Sequence, residues 1–384
     1  MAENTFPRSY LELLNPLANM NAMPIPLVKV AMPPREALMP ALEAVLYSGM
    51  IAEGEHVYHF EKRFSEQFGL PNLLAISSGT AALHIAFLLA GVKPGDEIIT
   101  TSMTAEPTNT TILQVGAIPV FADVDPQTGN LAPASVASQI TSKTRAVCVV
   151  HYAGYPVQLK EIRDLCNRHG LQLIEDCAHA LGARYAGQPI GSLGDYAIFS
   201  FQSIKHLTTV DGGALAMKDP QKMAEARRLR WFGLTKGVPR TEVNIESAGF
   251  KYNMSNVTAT FGLQQLDHIQ KLLDTHTQNG RYYDQALAKI SGLLPSPLAE
   301  GAEPTYWLYT MLCDDSDEVE RRLTSNGIAA GKLHRPNHLH SVFKPYLTPL
   351  PGLDRFYKKL LHIPCGWWVT SEQRERIVDV LQRG

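Results

Sequence analysis

Residues Asp195–Gly213 read DYAIFSFQSIKHLTTVDGG. The apolar run Tyr196–Phe201 predicts a buried strand, because a short unbroken apolar segment bounded by turn residues suits a strand covered on both faces. The chain then becomes polar, with Lys205 just beyond the strand and the pair Gly212–Gly213 closing the turn. A lysine at the mouth of a buried strand can be partly desolvated. Desolvation disfavours the ammonium, lowers its pKa and frees an amine able to form a Schiff base with a carbonyl. Most lysines are exposed, so an ordinary loop lysine is the alternative for this stretch taken alone.

Outward from this stretch, strands and helices alternate. Leu73–Ile76, Glu97–Thr101, Ile118–Ala122, Ala146–Val150 and Leu171–Ile174 read as strands. Val57–Phe68, Thr108–Val115, Ser135–Ile140 and Leu159–His169 read as helices, and an earlier helix in REALMPALEAVLYSGM ends at Gly49. Such alternation predicts an α/β domain with a mostly parallel sheet. Ligands of such sheets gather at the carboxyl ends of the strands. Ser77–Thr80, His151, Asp176 and Lys205 all fall at those ends.

Each of these pieces has a chemical reading. Ser77-Ser78-Gly79-Thr80 feeds a strand into a helix, where free N–H groups and the positive helix end can hold an anion. A plain Ser/Thr cap is the commoner use of such residues. The segment has neither the GK[ST] of a Walker loop nor GxGxxG. Asp176 is a carboxylate at a strand end that needs a cationic or donor partner, unless it only caps the segment AHALGARY. An anion cradle, an acid for a ring nitrogen and an amine for an aldehyde are the three needs of pyridoxal 5′-phosphate.

Composition sets the outer limits. The 384 residues are 45% hydrophobic and 19% charged with a net charge of −2, enough for a large core and two domains. No basic stripe or acidic tail points to nucleic acid or a membrane surface. Cys148, Cys166, Cys177, Cys313 and Cys365 form no CxxC pair, as expected of reduced thiols in a cytoplasmic protein. Toward the C-terminus, Gln264–Thr275, Arg281–Ile290 and Glu318–Ser325 predict helices and Thr305–Cys313 a strand. KLHRPNHLHSVFKPY holds three histidines, whose spacing suits polar contacts better than metal ligation, and Trp367 and Trp368 read as packing residues.

The segments SSGTAALH, TSMTAEPTN, FADVDPQTGNL, EDCAHALGA, FSFQSIKHLTTVDGGAL, RWFG and GFKYNMSNVTATFGLQQL, taken together, resemble the DegT/DnrJ/EryC1/StrS family. These are pyridoxal phosphate-dependent sugar aminotransferases of the fold-type-I aspartate aminotransferase superfamily. The resemblance implies an N-terminal arm (1–26), a large cofactor-binding α/β domain with a mostly parallel, seven-stranded type of sheet (27–265) and a smaller α+β domain (266–384). It implies Lys205 as the Schiff-base lysine and proton shuttle and Asp176 as partner of the ring nitrogen. His179 would lie beside the ring hydroxyl, and Gly79, Thr80 and Ser200 at the phosphate. Gln202 would sit near phosphate and lysine, and Asn253 would reach the phosphate of a neighbouring subunit in a homodimer. His334 and Arg335 are candidates for substrate contact.

The implied reaction moves an amino group from L-glutamate to a keto sugar, most commonly a nucleotide-linked 4-keto-6-deoxy sugar, in amino-sugar or cell-surface polysaccharide biosynthesis. A 3-keto sugar, an inosose or a keto-octulosonate, a sugar dehydratase, and a non-catalytic cofactor-binding regulator are the other family possibilities. Two positions depart from the family pattern. Ala105 stands where an aromatic residue usually covers the ring, and Val210 stands where glycine is usual, so a different turn is expected after the lysine.

Overall fold

The computed structural model describes residues 24–383, so nearly all of the expected arm lies outside the described residues. Helices α1 (Arg35–Leu46) and α2 (Glu55–Phe68) lead into β1 (Leu73–Ile76). Helix α2 stops at Gly69, whose φ of 66° closes it in the left-handed conformation. Then α3 (Gly79–Leu89), β2 (Glu97–Thr101), α4 (Glu106–Gln114), β3 (Ile118–Ala122), α5 (Pro133–Gln139), β4 (Thr144–Val150), α6 (Leu159–His169) and β5 (Gln172–Asp176) alternate. The short pair β6 (Arg184–Tyr185) and β7 (Gln188–Pro189) precedes β8 (Tyr196–Ser200). After the turn carrying Lys205, β9 (Gly213–Met217) returns antiparallel to β8.

The seven strands lie in the order β1-β9-β8-β5-β4-β2-β3, and every pairing apart from those of β9 is parallel. The register aligns Val150 with Asp176, and Ser200 with Gly213, which in turn pairs with Ile76. The strand ends carrying Asp176, Ser200 and the Ser77–Thr80 segment therefore share one edge of the sheet. Apolar side chains cover both faces. On one, Phe60, Phe64, Phe199 and Phe201 pack with ring centroids 5.4–5.8 Å apart, among Val147, Ile162 and Leu173. The other holds Leu74, Leu83, Phe87, Ile98, Ile174 and Leu215. Arg230, 3% exposed, ties α2 to β1 by pairing with Glu53 and Glu61 and donating to the Ala75 carbonyl.

A second lobe follows α7 (Lys222–Arg230) and α8 (Asn256–Leu266). It comprises α9 (Ile269–Leu287), β10 (Leu293–Pro295), β11 (Ala302–Glu303), β12 (Tyr309–Cys313), α10 (Ser316–Ser325), α11 (Pro351–Lys359), β13 (Leu360–Ile363) and α12 (Ser371–Gln382). Its sheet has the order β10-β12-β13 and is antiparallel, while β11 pairs back onto β6. Helix α9 belongs to both cores: Ile269 and Leu273 pack with the large lobe, Tyr283 and Leu287 with the second. The division expected at 265/266 thus falls just before a helix shared between lobes. Ile25, Leu27 and Val28 also pack in the second core, and Ile25 bridges to Ile328.

Two helices were expected across 264–290, with a break before Arg281. Instead α9 runs unbroken through Gly280, and the break comes at Asp267–His268. Gly280 serves packing there: a Cβ on it would lie 2.3 Å from the Tyr306 ring. No helix among the described residues is long and apolar enough to cross a membrane.

Candidate active site

Helix α3 starts where β1 ends. Ser78 caps it by accepting from the Ala81 N–H, and the first intrahelical bond runs from Ala82 N to Ser78 O. The Gly79 and Thr80 amides precede that bond, leaving the positive helix end facing a cavity. Space is tight at this point. A Cβ on Gly79 would lie 3.0 Å from Ser200 Cβ, and one on Gly213 would lie 2.5 Å from the Ser78 carbonyl carbon.

The cavity has a volume of about 780 Å³. Of the residues singled out from the sequence, Gly79, Thr80, Asp176, His179, Ser200, Gln202, Lys205 and His334 line it, and so does Ala105. Asn253 and Arg335 do not. Asn253 accepts from Lys251 Nζ at 2.9 Å, and Arg335 is exposed. His151 stands at its strand end but is turned away. Its Nε2 meets Glu175 Oε2 at 3.1 Å and its Nδ1 accepts from the Val157 N–H. Glu175 also receives the N–H groups of Gly191, Leu193 and Gly194, so this wholly buried pair organises the crossing from β5 to β8.

Asp176 is 3% exposed. Its Oδ1 accepts from the Ala178 N–H at 3.1 Å and its Oδ2 from the Thr108 hydroxyl at 2.8 Å. Burial raises its pKa, and those two donors and the charge of Lys205 oppose the rise. The Lys205 ammonium has no hydrogen-bond partner among the described residues; it lies over the Trp307 ring, 4.0 Å from the centroid. Burial brings its pKa down to about 7, with Asp176 pulling the other way. Trp307 is fixed by donating from Nε1 to the Ile204 carbonyl at 2.9 Å.

His179 stacks on the same indole at 4.1 Å and runs parallel to His334 at 5.7 Å. Burial keeps His179 well below the ordinary histidine pKa. Its Nδ1 accepts from the Ala153 N–H, so the neutral ring carries its proton on Nε2. Burial takes His334 down to about 3, and its Nε2 is a buried atom without a partner in the cavity wall. The other two histidines of that segment face elsewhere: His338 bonds Ser102, and His340 lies 3.8 Å from Glu106. Trp368 packs by donating to the Pro26 carbonyl, as a structural residue would.

Several contributors were not read from the sequence. Trp307 lies in the expected strand 305–313 but outside the observed β12, in a loop that follows Tyr306 at φ 46°. Thr104, Thr108 and Lys332 also line the cavity. Signals for Thr104 and Thr108 were present as hydroxyls within the segment TSMTAEPTN. Nothing local marks Trp307, which long-range packing delivers. Val210 takes φ 72°, the left-handed region where a β-branched residue is strained and glycine is not.

An amine of depressed pKa, a buried carboxylate and a helix N-terminus opening into one cavity are the groups that a pyridoxal phosphate-dependent enzyme needs. The family model of the DegT/DnrJ/EryC1/StrS aminotransferase family matches residues 34–382, and the chain belongs to that family. It is 33% identical over 357 residues to GDP-perosamine synthase of Caulobacter vibrioides, covering 89% of this chain and 93% of that protein. The structure is similar to that of the sugar aminotransferase CalS13 from Micromonospora echinospora, with a TM-score of 0.90, 36% identity and coverage of 94% of this chain and 100% of that one. It is also similar to the pyridoxal phosphate form of a putative sugar aminotransferase, Spr1654, from Streptococcus pneumoniae, with a TM-score of 0.85, 26% identity and coverage of 93% and 98%. The protein is a pyridoxal phosphate-dependent sugar aminotransferase. The donor set fits the cofactor: the glycine-lined helix start suits a phosphate, the Asp176 carboxylate a ring cation and the Lys205 amine an aldehyde.

Proposed function

We propose that the enzyme transfers an amino group from L-glutamate to a nucleotide-linked 4-keto-6-deoxy sugar. The observation that carries the reading is the pairing of Lys205, with an amine pKa of about 7, and the buried Asp176 within one cavity. Its volume of about 780 Å³ leaves room for a sugar beside the cofactor. A nucleotide-linked substrate is supported by the relative named GDP-perosamine synthase.

Pyridoxal phosphate supplies an aldehyde that takes up an amine and a ring that withdraws electrons from the adjoining carbon. The Lys205 amine, unprotonated near neutral pH, is the group that would hold the aldehyde until an amino donor takes its place. The released Nζ takes the proton from the donor α-carbon and returns it to the carbon that keeps the nitrogen. The same atom carries the proton in reverse when the keto sugar arrives. Asp176 keeps the proton on the ring nitrogen. Gly79, Thr80 and Ser200 would hold the phosphate, with Gln202 beside them, and His179 would offer its Nε2–H to the ring hydroxyl. His334 Nε2 is offered to the sugar.

Asn253 serves the phosphate of a second subunit in this reading. Met32, Met39, Leu46, Tyr47, Met50 and Ile51 form an exposed apolar border on and around α1 that suits a homodimer contact. The test is conversion. Loaded protein given L-glutamate and a nucleotide-linked 4-keto-6-deoxy sugar forms 2-oxoglutarate and the amino sugar in equal amounts. The Lys205→Ala variant binds cofactor without turnover; full activity in that variant would falsify the assignment. Loss of the sugar hydroxyl without 2-oxoglutarate would identify a dehydratase instead.

A further inference from the structure

Asp176 is held by a hydroxyl from another element. Thr108, in the first turns of α4, donates to Asp176 Oδ2 at 2.8 Å and is itself within 2.9 Å of the Thr104 hydroxyl. A hydroxyl has one proton. Since Thr108 gives its proton to the carboxylate, Thr104 is the donor to Thr108. Thr104, Thr108 and Asp176 are each at most 3% exposed at the cavity wall, where hydrogen bonds are stronger than in water.

The loop bearing Thr104 and the start of α4 bearing Thr108 are fixed by the second lobe. Asn337 donates from Nδ2 to the Thr104 carbonyl at 2.8 Å and accepts at Oδ1 from Asn109 Nδ2 at 2.9 Å. Asn109 gives its other amide proton to the Thr101 carbonyl and accepts from the Thr100 hydroxyl. The Asn337 N–H donates to the Ser102 carbonyl, and Ser102 and His338 exchange two further bonds. Asn109 and Asn337 have no exposed surface. A continuous hydrogen-bonded path thus runs from the second lobe through the loop to the carboxylate.

We propose that Thr108 is the positioning residue of Asp176, fixing its carboxylate so that the proton-holding contact to a ring nitrogen forms, and that Asn337 sets Thr108 by clamping its loop. The inference rests on the role proposed above for Asp176. Thr108 touches the carboxylate and acts through it. Only the Ala178 N–H, on the other oxygen, would remain without it, and Oδ2 would be left desolvated and free to turn.

The experiment measures binding of pyridoxal phosphate and of its 1-deaza analogue, in which carbon replaces the ring nitrogen, by full-length wild type, Thr108→Val, Thr108→Ser and Asp176→Ala. Thr108→Val keeps the shape and removes the donor. It is expected to bind pyridoxal phosphate about tenfold more weakly, the effect of one hydrogen bond to a charged group. Its affinity for the deaza analogue is expected to stay as in wild type, and Thr108→Ser to restore the difference. Equal weakening toward both ligands would reduce Thr108 to a packing residue and overturn the proposal, as would no weakening at all. If Asp176→Ala separates the two ligands while Thr108→Val does not, the Thr108 proposal alone fails. If Asp176→Ala does not separate them, the reading of Asp176 fails and takes this proposal with it.

Discussion

Lys205 should titrate far from an ordinary lysine, and the size of the difference follows from its surroundings. Burial lowers its pKa to about 7, against the raising effect of Asp176. At pH 7.5 about three quarters of the amine is then free, compared with about 0.1% for a lysine at its usual pKa. The folded state holds fewer protons than the unfolded state between pH 7 and the unfolded pKa of 10.5. The cost of burying this group is therefore complete below pH 7. That cost, about 4–5 kcal/mol at its fullest, is lost progressively as pH rises through that window. Cofactor-free protein, pulsed with an aldehyde and borohydride from pH 5.5 to 10.5, should show Lys205 reductively labelled with a midpoint near pH 7. Site-resolved mass spectrometry separates it from surface lysines, whose labelling still climbs at the alkaline end. Asp176→Asn removes the charge that favours the ammonium and should move the midpoint down. A wild-type midpoint above pH 9 would show that the amine is hydrated and refute the desolvation argument.

Other positions carry their own expectations. Val210→Gly removes left-handed strain from a side chain that is 55% exposed. With the entropy of glycine deducted, it should raise unfolding free energy by about 1 kcal/mol in urea titration; a loss of stability would show that φ is not strained. Glu175→Gln sets an amide against backbone donors where a carboxylate now accepts from Gly191, Leu193, Gly194 and His151. It should cost about 3 kcal/mol or more, and an unchanged melting curve would contradict the network. Gly79→Ala drives a Cβ to within 3.0 Å of Ser200 Cβ at the helix start. It should weaken binding of pyridoxal phosphate more than of pyridoxal, and equal affinities to wild type for both would remove Gly79 from the phosphate reading.

Most of the sheet was legible because its strands are short, largely apolar segments between turn residues, and strand ends bring distant residues to one edge; the strand Gly213–Met217 was not read. Leu73–Ile76, Glu97–Thr101 and Ile118–Ala122 were read to the residue. Asp176, Gly79 and Lys205 could be placed together for the same reason, whereas Ser200 came only from the family resemblance. His151 shows the limit of that argument. A strand end fixes where a residue stands but not which way its side chain turns, and Glu175 draws the imidazole away from the cavity. Gly280 misled in the opposite way, since a local breaker signal lost to packing against Tyr306. Trp307 and Asn337 were not legible, because they reach the site from the second lobe through contacts that no local pattern encodes. The turn at Val210 shows tertiary structure imposing a left-handed residue where composition offered no glycine.

If Lys205 and Asp176 carry transamination, the visible absorbance of the protein follows both half-reactions. Purified protein with pyridoxal phosphate should show a yellow band that depends on Lys205. Adding L-glutamate should bleach it as 2-oxoglutarate appears, and a nucleotide-linked keto sugar should restore it. A band that forms in wild type but is unchanged by glutamate would contradict the proposed donor. The same band in Lys205→Ala, or none in the wild type, would contradict the assignment of the lysine itself.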